Sequence, residues 1–355
     1  MKSGVTISSE FSSSSGSKRQ MIFFGLGVLL IAAFMLDILL GSVSLRPQDV
    51  IRSIFTDTGL NIETIVMKFR IPKALTALLV GIALSVSGLQ MQTVFRNPMA
   101  GPYVLGISSG ASLGVAFVIL GFSATLTPES LQGFGTWALV AASWLGAGAV
   151  MILIMFISMK VRDILTVLIL GIMLSSGISA IVSIMQYFSN ETMLKAYVIW
   201  TMGSLGNLTT QQLQVLGLSL AAGILLSLFS VKMLNALLLG ENYAGSIGLN
   251  VRFARMVIFA GTSILTGSVT AFCGPIGFIG IAVPHIARII LRTSDHRILI
   301  PATIMLGGVI MLASDIISQL PGSGKVLPVN SVTSLIGIPV VIWVILRNRK
   351  YSGAF

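Results

Sequence analysis

Long apolar runs separated by short polar islands dominate the chain. No Asp, Glu, Lys or Arg occurs in 97–128, 130–159, 164–190, 196–231, 256–287 or 326–346. Each run reaches the roughly 20 residues that carry a helix across a bilayer core. The runs are continuously apolar, whereas a transmembrane β-barrel shows segments of about 10 residues in which apolar and polar positions alternate. The pattern therefore predicts an all-α polytopic membrane protein. Hydropathy and helix breakers divide it into about ten spans, near 21–42, 68–92, 103–121, 134–159, 164–188, 210–231, 255–272, 277–293, 298–317 and 332–347. The stretch 195–205, between the fifth and sixth, suits a short helix at the membrane surface.

Composition narrows the class further. Of 355 residues, 55% are hydrophobic and 9% charged, against about 25% charged in soluble domains. A net charge of +11 would suit a nucleic-acid partner, but its distribution reads as topology, so no nucleic acid is expected. With the amino terminus in the cytosol, the inside carries Lys2, Lys18, Arg19, Arg96, Lys160, Arg162, Lys232, Arg252, Arg255, Arg288, Arg292, Arg297, Arg347, Arg349 and Lys350. Arg46, Arg52, Lys68, Arg70, Lys73, Lys195 and Lys325 fall outside or near that interface. Fifteen against seven is the Lys/Arg bias that sets orientation. Both termini are thus expected in the cytosol.

The amino-terminal pattern of Lys18, Arg19 and the apolar run 21–40 imitates a signal peptide, with Ser42, Val43 and Ser44 as a cleavage site. The run exceeds the usual 7–15 residue apolar core of a cleaved signal, so an uncleaved first span is expected. The Ser-rich residues 1–20 read as a disordered cytosolic tail, ahead of one transmembrane domain over 21–350.

A short repeat supports that layout. GPYVLGI from Gly101 recurs as GPIGFIGI from Gly274, each opening a span after a break. Five spans per half, about 21–190 and 191–350, make the second copy run opposite to the first. Inverted halves of this kind enclose the pathway of many transporters.

Catalytic constellations are scarce. His285 and His296 have no carboxylate or cysteine at ligand spacing, and the single cysteine, Cys273, lies in an apolar run, so no metal or other cofactor is expected. Pro321 to Val326, PGSGKV, imitates a phosphate loop, but Gln319 stands where the first glycine belongs and Val326 where Ser or Thr belongs. Asp37 and Asp315, near span ends, read as hydrogen-bonded caps or as transport groups. Gly81, Ser85, Ser87 and Gly88, and Gly106, Ser109, Gly110 and Gly114, carry the spacing that lets helices pack closely in lipid. Breaks are expected at Asn97-Pro98, Gly101-Pro102, Gly274-Pro275 and Val283-Pro284, the kind tolerated where protein or a watery cavity surrounds them.

Three long segments carry a resemblance: Phe69 to Gly114, Leu237 to Asn250 (LLLGENYAGSIGLN) and Gly274 to Ala302. They resemble the FecCD/BtuC family, the permease subunits of binding-protein-dependent ABC importers for iron–siderophores, haem and cobalamin, and the likeness runs over about 20–347. It implies a second permease subunit, a homodimer or a sister heterodimer, with two cytosolic ABC ATPase subunits. It also implies a periplasmic or lipid-anchored binding protein. Within the polar island 237–255, the residues Gly240, Glu241, Asn242, Tyr243, Ala244, Gly245, Ser246, Gly248 and Leu249 would form the coupling element seated on the ATPase. Asn97 and Met99, with Ile164 and Leu165, match the cytosolic gate, which is greasier here than in the cobalamin permease. Arg70 and Lys73 match positions that dock the binding protein, or serve as interfacial anchors. Gln319 stands roughly at a third basic position, and Val326 replaces an acid before the last span.

The expected function is passage of an iron chelate, siderophore or haem, through the plasma membrane (the inner membrane of a Gram-negative cell), with cobalamin as the alternative. Hydrolysis would sit on the ATPase, not on this chain. A secondary transporter would need intramembrane acids, of which the sequence has almost none, and a membrane enzyme a catalytic cluster, which is not visible.

Overall fold

The computed structural model describes residues 10–43, 45–55, 61–121, 128–161, 163–206, 208–320 and 323–349. Among these the secondary structure is helical throughout. A lipid environment requires this, since every backbone N–H and C=O must find its partner within the segment. The helices are α1 (Glu10–Leu39), α2 (Pro47–Phe55), α3 (Asn61–Ile65), α4 (Ile71–Val94), α5 (Ile107–Ala116), α6 (Pro128–Lys160), α7 (Ile164–Tyr187) and α8 (Glu191–Thr201). They continue with α9 (Thr210–Phe229), α10 (Val231–Leu237), α11 (Glu241–Ser246), α12 (Val251–Cys273), α13 (Ile279–Leu291), α14 (His296–Ser318) and α15 (Val329–Arg349). Seven helical stretches are long and apolar enough to cross a membrane, and three shorter apolar ones, Ile107–Gly121, Ile279–Leu291 and Val329–Trp343, complete the ten segments expected. Helix α8 occupies the stretch read as a surface helix.

Two expectations change. From Glu10 the chain is already helical as the lead-in to α1, so the tail read as disordered does not extend to residue 20; residues 1–9 and Arg162 lie outside the described residues. Nor does Val283-Pro284 break its helix, since Pro284 sits inside α13. The other breaks are real. After α4 the chain turns through Asn97 and Pro98, and a 3₁₀ turn at Pro102–Leu105 leads to Gly106 at φ 76°. Helix α12 stops at Gly274, also at φ 76°, a left-handed conformation that glycine adopts at little cost.

Helix starts are capped by short polar side chains: Asp163, Asn190, Asn250 and Asp295 each accept from the first turn that follows. Thr209 and Gln212 form a reciprocal capping box at α9.

The spans meet backbone to backbone. A Cβ on Gly88 would lie 1.8 Å from the Gly280 carbonyl oxygen, and one on Gly81 2.1 Å from that of Gly307. Across α5 and α6, a Cβ on Gly114 would meet the Ala142 carbonyl at 2.0 Å, and one on Gly146 that of Gly110 at 2.0 Å. Pro284 lacks the N–H that would bond the Gly280 carbonyl four residues earlier, and α4 presses its bare Cα against that freed oxygen.

The two halves pack alike. Helix α4 lies on α14 as α12 lies on α6; α5 meets α7 as α13 meets α15; α4 and α12 face each other. At the centre, the Tyr103 hydroxyl donates to the Ile276 carbonyl and accepts from its N–H at 3.2 Å. These two positions correspond in the GPYVLGI and GPIGFIGI repeats.

At the end of the bundle far from α11, polar groups close the helix termini. Arg70 is buried and donates to the carbonyls of Ile38 (2.8 Å), Leu39 (2.9 Å) and Val43 (2.6 Å), satisfying orphan acceptors where α1 ends. Lys73 pairs with the fully buried Asp315 at 3.1 Å. Gln319 donates to both Asp315 (2.9 Å) and Asp37 (3.2 Å). Both acids are thus hydrogen-bonded within the fold.

Gly88→Ala should lower the thermal midpoint of the detergent-solubilised protein by several degrees, reflecting overpacking of about 1–3 kcal/mol. Gly217→Ala, with nothing within 4 Å of the added carbon, should leave the midpoint unchanged. Lys73→Met strands a buried carboxylate and should cost about 3–5 kcal/mol; the double variant Lys73→Met/Asp315→Leu should recover much of that loss in the same melting assay.

Candidate functional site

The polar island folds into a helix–turn–helix at one end of the bundle. Helix α10 ends at Leu237, and Gly240 at φ 101° reverses the chain beside the Arg96 side chain. Helix α11 then runs to Ser246, and Gly248 at φ 88° and Asn250 deliver the chain into α12, where Asn250 accepts from Phe253 N–H at 3.1 Å. The two positive φ values explain the glycines, since a β-carbon there is strained.

Helix α11 has two faces. Ala244 is fully buried and Leu249 packs on the core. Asn242, Tyr243, Gly245, Ser246 and Ile247 are exposed, Tyr243 at 49% and Ile247 at 57%. No heavy atom lies within 4 Å of a Cβ built on Gly245. The outcome is an uncharged surface of small residues flanked by one aromatic and one aliphatic side chain. Glu241 is not part of it: its carboxylate turns inward onto Arg255, accepting from Nε at 2.8 Å and Nη2 at 2.5 Å.

Around this handle the helix ends are tied by side chains distant in sequence. His296 at the start of α14 contacts Asn235 of α10 through Nδ1 (2.8 Å) and Thr93 of α4 through Nε2 (2.8 Å). Asn235 in turn donates to Asp295 at 2.7 Å. Gln92 donates to the Ile281 carbonyl at 3.1 Å and accepts from Arg288. His285 Nε2 donates to the Pro98 carbonyl at 2.7 Å. These ties left no local trace in sequence, because each joins residues at least sixty apart.

The four residues matched to a gate sit at two helix ends. Asn97 accepts from Met99 N–H at 2.9 Å, shaping the turn after α4, and Met99 is 38% exposed. Ile164 is buried at the start of α7, whereas Leu165 is 52% exposed. Asp163 caps that start, accepting from Leu165 N–H (3.2 Å), Thr166 N–H (3.1 Å) and Thr166 Oγ1 (2.8 Å). Those bonds, first the Thr166 hydroxyl, hold its carboxyl below the usual carboxylate range.

Arg70 and Lys73 lie at the far end, on an open cleft of about 490 Å³ that Gln319 and Val326 also line. The two departures noted in sequence thus converge on one place. Both cations are engaged within the fold, Arg70 on the end of α1 and Lys73 on Asp315. Among the described residues, no group of three or more His, Cys, Asp or Glu is placed to hold a metal ion.

Comparison with known proteins agrees with this geometry. The FecCD transport family matches residues 29–347. The vitamin B12 import system permease protein BtuC of Escherichia coli is 34% identical over 327 residues, covering 92% of this chain and 94% of its own. The hemin transport system permease protein HmuU of Yersinia pestis is 35% identical over 286 residues, 80% of this chain and 84% of its own. A solved inward-facing structure assigned to the metal-chelate type of ABC transporter superposes with a TM-score of 0.78 at 30% identity, covering 92% of this chain and 99% of its own. The chain belongs to the FecCD transport family and is a multi-pass ABC importer permease.

Proposed function

We propose that this permease forms half of a pathway for an iron chelate, a siderophore complex or haem, driven by a separate ATPase seated on α11. The uncharged exposed face of α11 carries that reading: Tyr243 and Ile247 stand out on either side of Gly245, which no other described residue covers. A second permease subunit, a homodimer in the simplest case, would complete the pathway. A binding protein would meet the far end, at the cleft lined by Lys73 and Gln319. That places α11 and both termini in the cytosol of a plasma-membrane protein, in keeping with the basic bias.

Helix α7 suits a wall that a large solute slides past. It exposes Leu165, Ile169, Ile172, Met173, Ile181 and Ile184, interleaved with hydroxyls that are already occupied. Ser176 donates to the Ile172 carbonyl at 3.1 Å and Ser183 to that of Ser179 at 2.9 Å. Such a surface binds weakly, which leaves capture to the binding protein. Arg288 and the Lys73–Asp315 pair are bonded within the fold, which favours an external motor over an ion gradient. The alternative substrate is cobalamin, since the B12 and hemin relatives are equally similar.

Gly245→Trp should abolish co-purification of the ATPase and cut transport at least tenfold, with membrane yield and melting unchanged because the site is open. An ATPase that still co-purifies with the variant would refute docking at α11. Proteoliposomes holding the full complex and its binding protein should accumulate ferric siderophore or haemin with ATP; accumulation of cobalamin alone would replace the substrate reading.

A further inference from the structure

Arg255 lies one turn into α12, is 3% exposed, and holds three elements at once. Its Nε and Nη2 grip both carboxylate oxygens of Glu241, the first residue of α11, at 2.8 and 2.5 Å. Its Nη1 donates to the Val161 carbonyl at 3.1 Å. Val161 lies in the turn between the end of α6 at Lys160 and the start of α7 at Ile164, next to the residues matched to the gate.

We propose that Arg255 is a positioning residue of the transport cycle, a rigid linkage through which displacement of α11 is passed to the α6–α7 turn and thence to the start of α7. This rests on the reading of α11 as the ATPase seat and adds the route by which its motion leaves that seat. The guanidinium is planar, and its donors leave in fixed directions. With two bonds to α11 and one to Val161, α11 cannot shift along the Glu241 direction unless the plane turns, and turning the plane displaces the Val161 carbonyl or breaks its bond. Charge-assisted bidentate bonds are the stronger class, so the bond to the neutral Val161 carbonyl is more compliant than the grip on Glu241. Asp163, two residues on, caps α7, so movement of the turn carries the first turn of α7 and with it Ile164 and Leu165.

Stability alone is a poor account of the pair. A buried salt bridge commonly gives no more stability than well-packed apolar residues of the same volume, and its attested use is to fix register. Here the register is that of α11 against α12 and the α6–α7 turn. Turning Glu241 inward also leaves the docking face without charge, so the acid serves the permease side of the joint.

The test uses the complete complex with its ATPase and binding protein in proteoliposomes, reading solute delivered per ATP hydrolysed. Arg255→Lys keeps the charge but cannot span both Glu241 oxygens and the Val161 carbonyl; Glu241→Gln keeps the shape and weakens the grip. Both should retain ATPase assembly and hydrolysis within about twofold while solute per ATP falls at least tenfold. Spin labels at Leu239→Cys, exposed just ahead of α11 and outside its docking face, and at Leu165→Cys should still report nucleotide-driven movement at α11 but lose it at α7. The exchange Glu241→Arg/Arg255→Glu should leave the coupling lost, because a carboxylate at 255 has no proton to donate to the Val161 carbonyl; recovery of solute per ATP in that variant would overturn the linkage. An unchanged solute-to-ATP ratio in both single variants overturns the linkage, and so does a loss of folding or assembly in Glu241→Gln, which marks the pair as structural. Failure of docking itself is read separately, from Gly245→Trp.

Discussion

Inside a bilayer, helices gain little by hiding apolar surface from one another, so their association depends on how closely backbones can approach. In this permease that approach is set by glycines facing carbonyl oxygens. Gly81, Gly88, Gly110, Gly114 and Gly146 each stand where a β-carbon would overlap a backbone atom of a neighbouring helix. They place α4 between α13 and α14, and α5 against α6. Everything functional hangs from that frame: the breaks before α5 and α13, the end of α4 beside Gly240, and the seat of α11.

Polar groups then complete the helix ends. At the far end, Arg70 supplies donors to carbonyls of α1 that would otherwise face lipid headgroups alone, and Gln319 bridges Asp37 and Asp315. At the α11 end, His296, Asn235 and Thr93 fasten α14, α10 and α4 together. Arg255 fastens α11 to α12 and the α6–α7 turn. A bundle built this way is stiff within each span and jointed at its termini, where a few bonds can be exchanged without reopening the glycine contacts.

The sequence made legible whatever depends on local periodicity. Ten apolar segments, the small-residue spacing in α4 and α5, the breaks at Gly101-Pro102 and Gly274-Pro275 and the polar island around Gly245 all follow from neighbours within a turn or two, whereas Gly106, read as a packing glycine, is the left-handed residue that starts α5. Direction of side chains across the fold did not. Arg70 and Lys73 look outward-facing in FRIPK, yet their partners lie in α1, the residues after it and α14, at distances along the chain that leave no pattern. Glu241 read as a docking contact for the same reason, since nothing near it announces Arg255. Pro284 misled in the opposite sense: a proline usually ends a helix, but here it sits inside α13, and the Gly280 carbonyl it leaves without an N–H partner faces Gly88 of α4.

The meeting of Tyr103 with Ile276 has a consequence for how the halves can differ. Corresponding positions of a duplicated fold lie on opposite sides of the axis that relates them, so a side chain from one reaches its counterpart only by crossing that axis. Tyr103 makes the crossing and binds the other copy's backbone, both its carbonyl and its N–H. Ile276 offers its main chain and not its side chain to this contact, so two copies that pack alike play unlike parts where they meet.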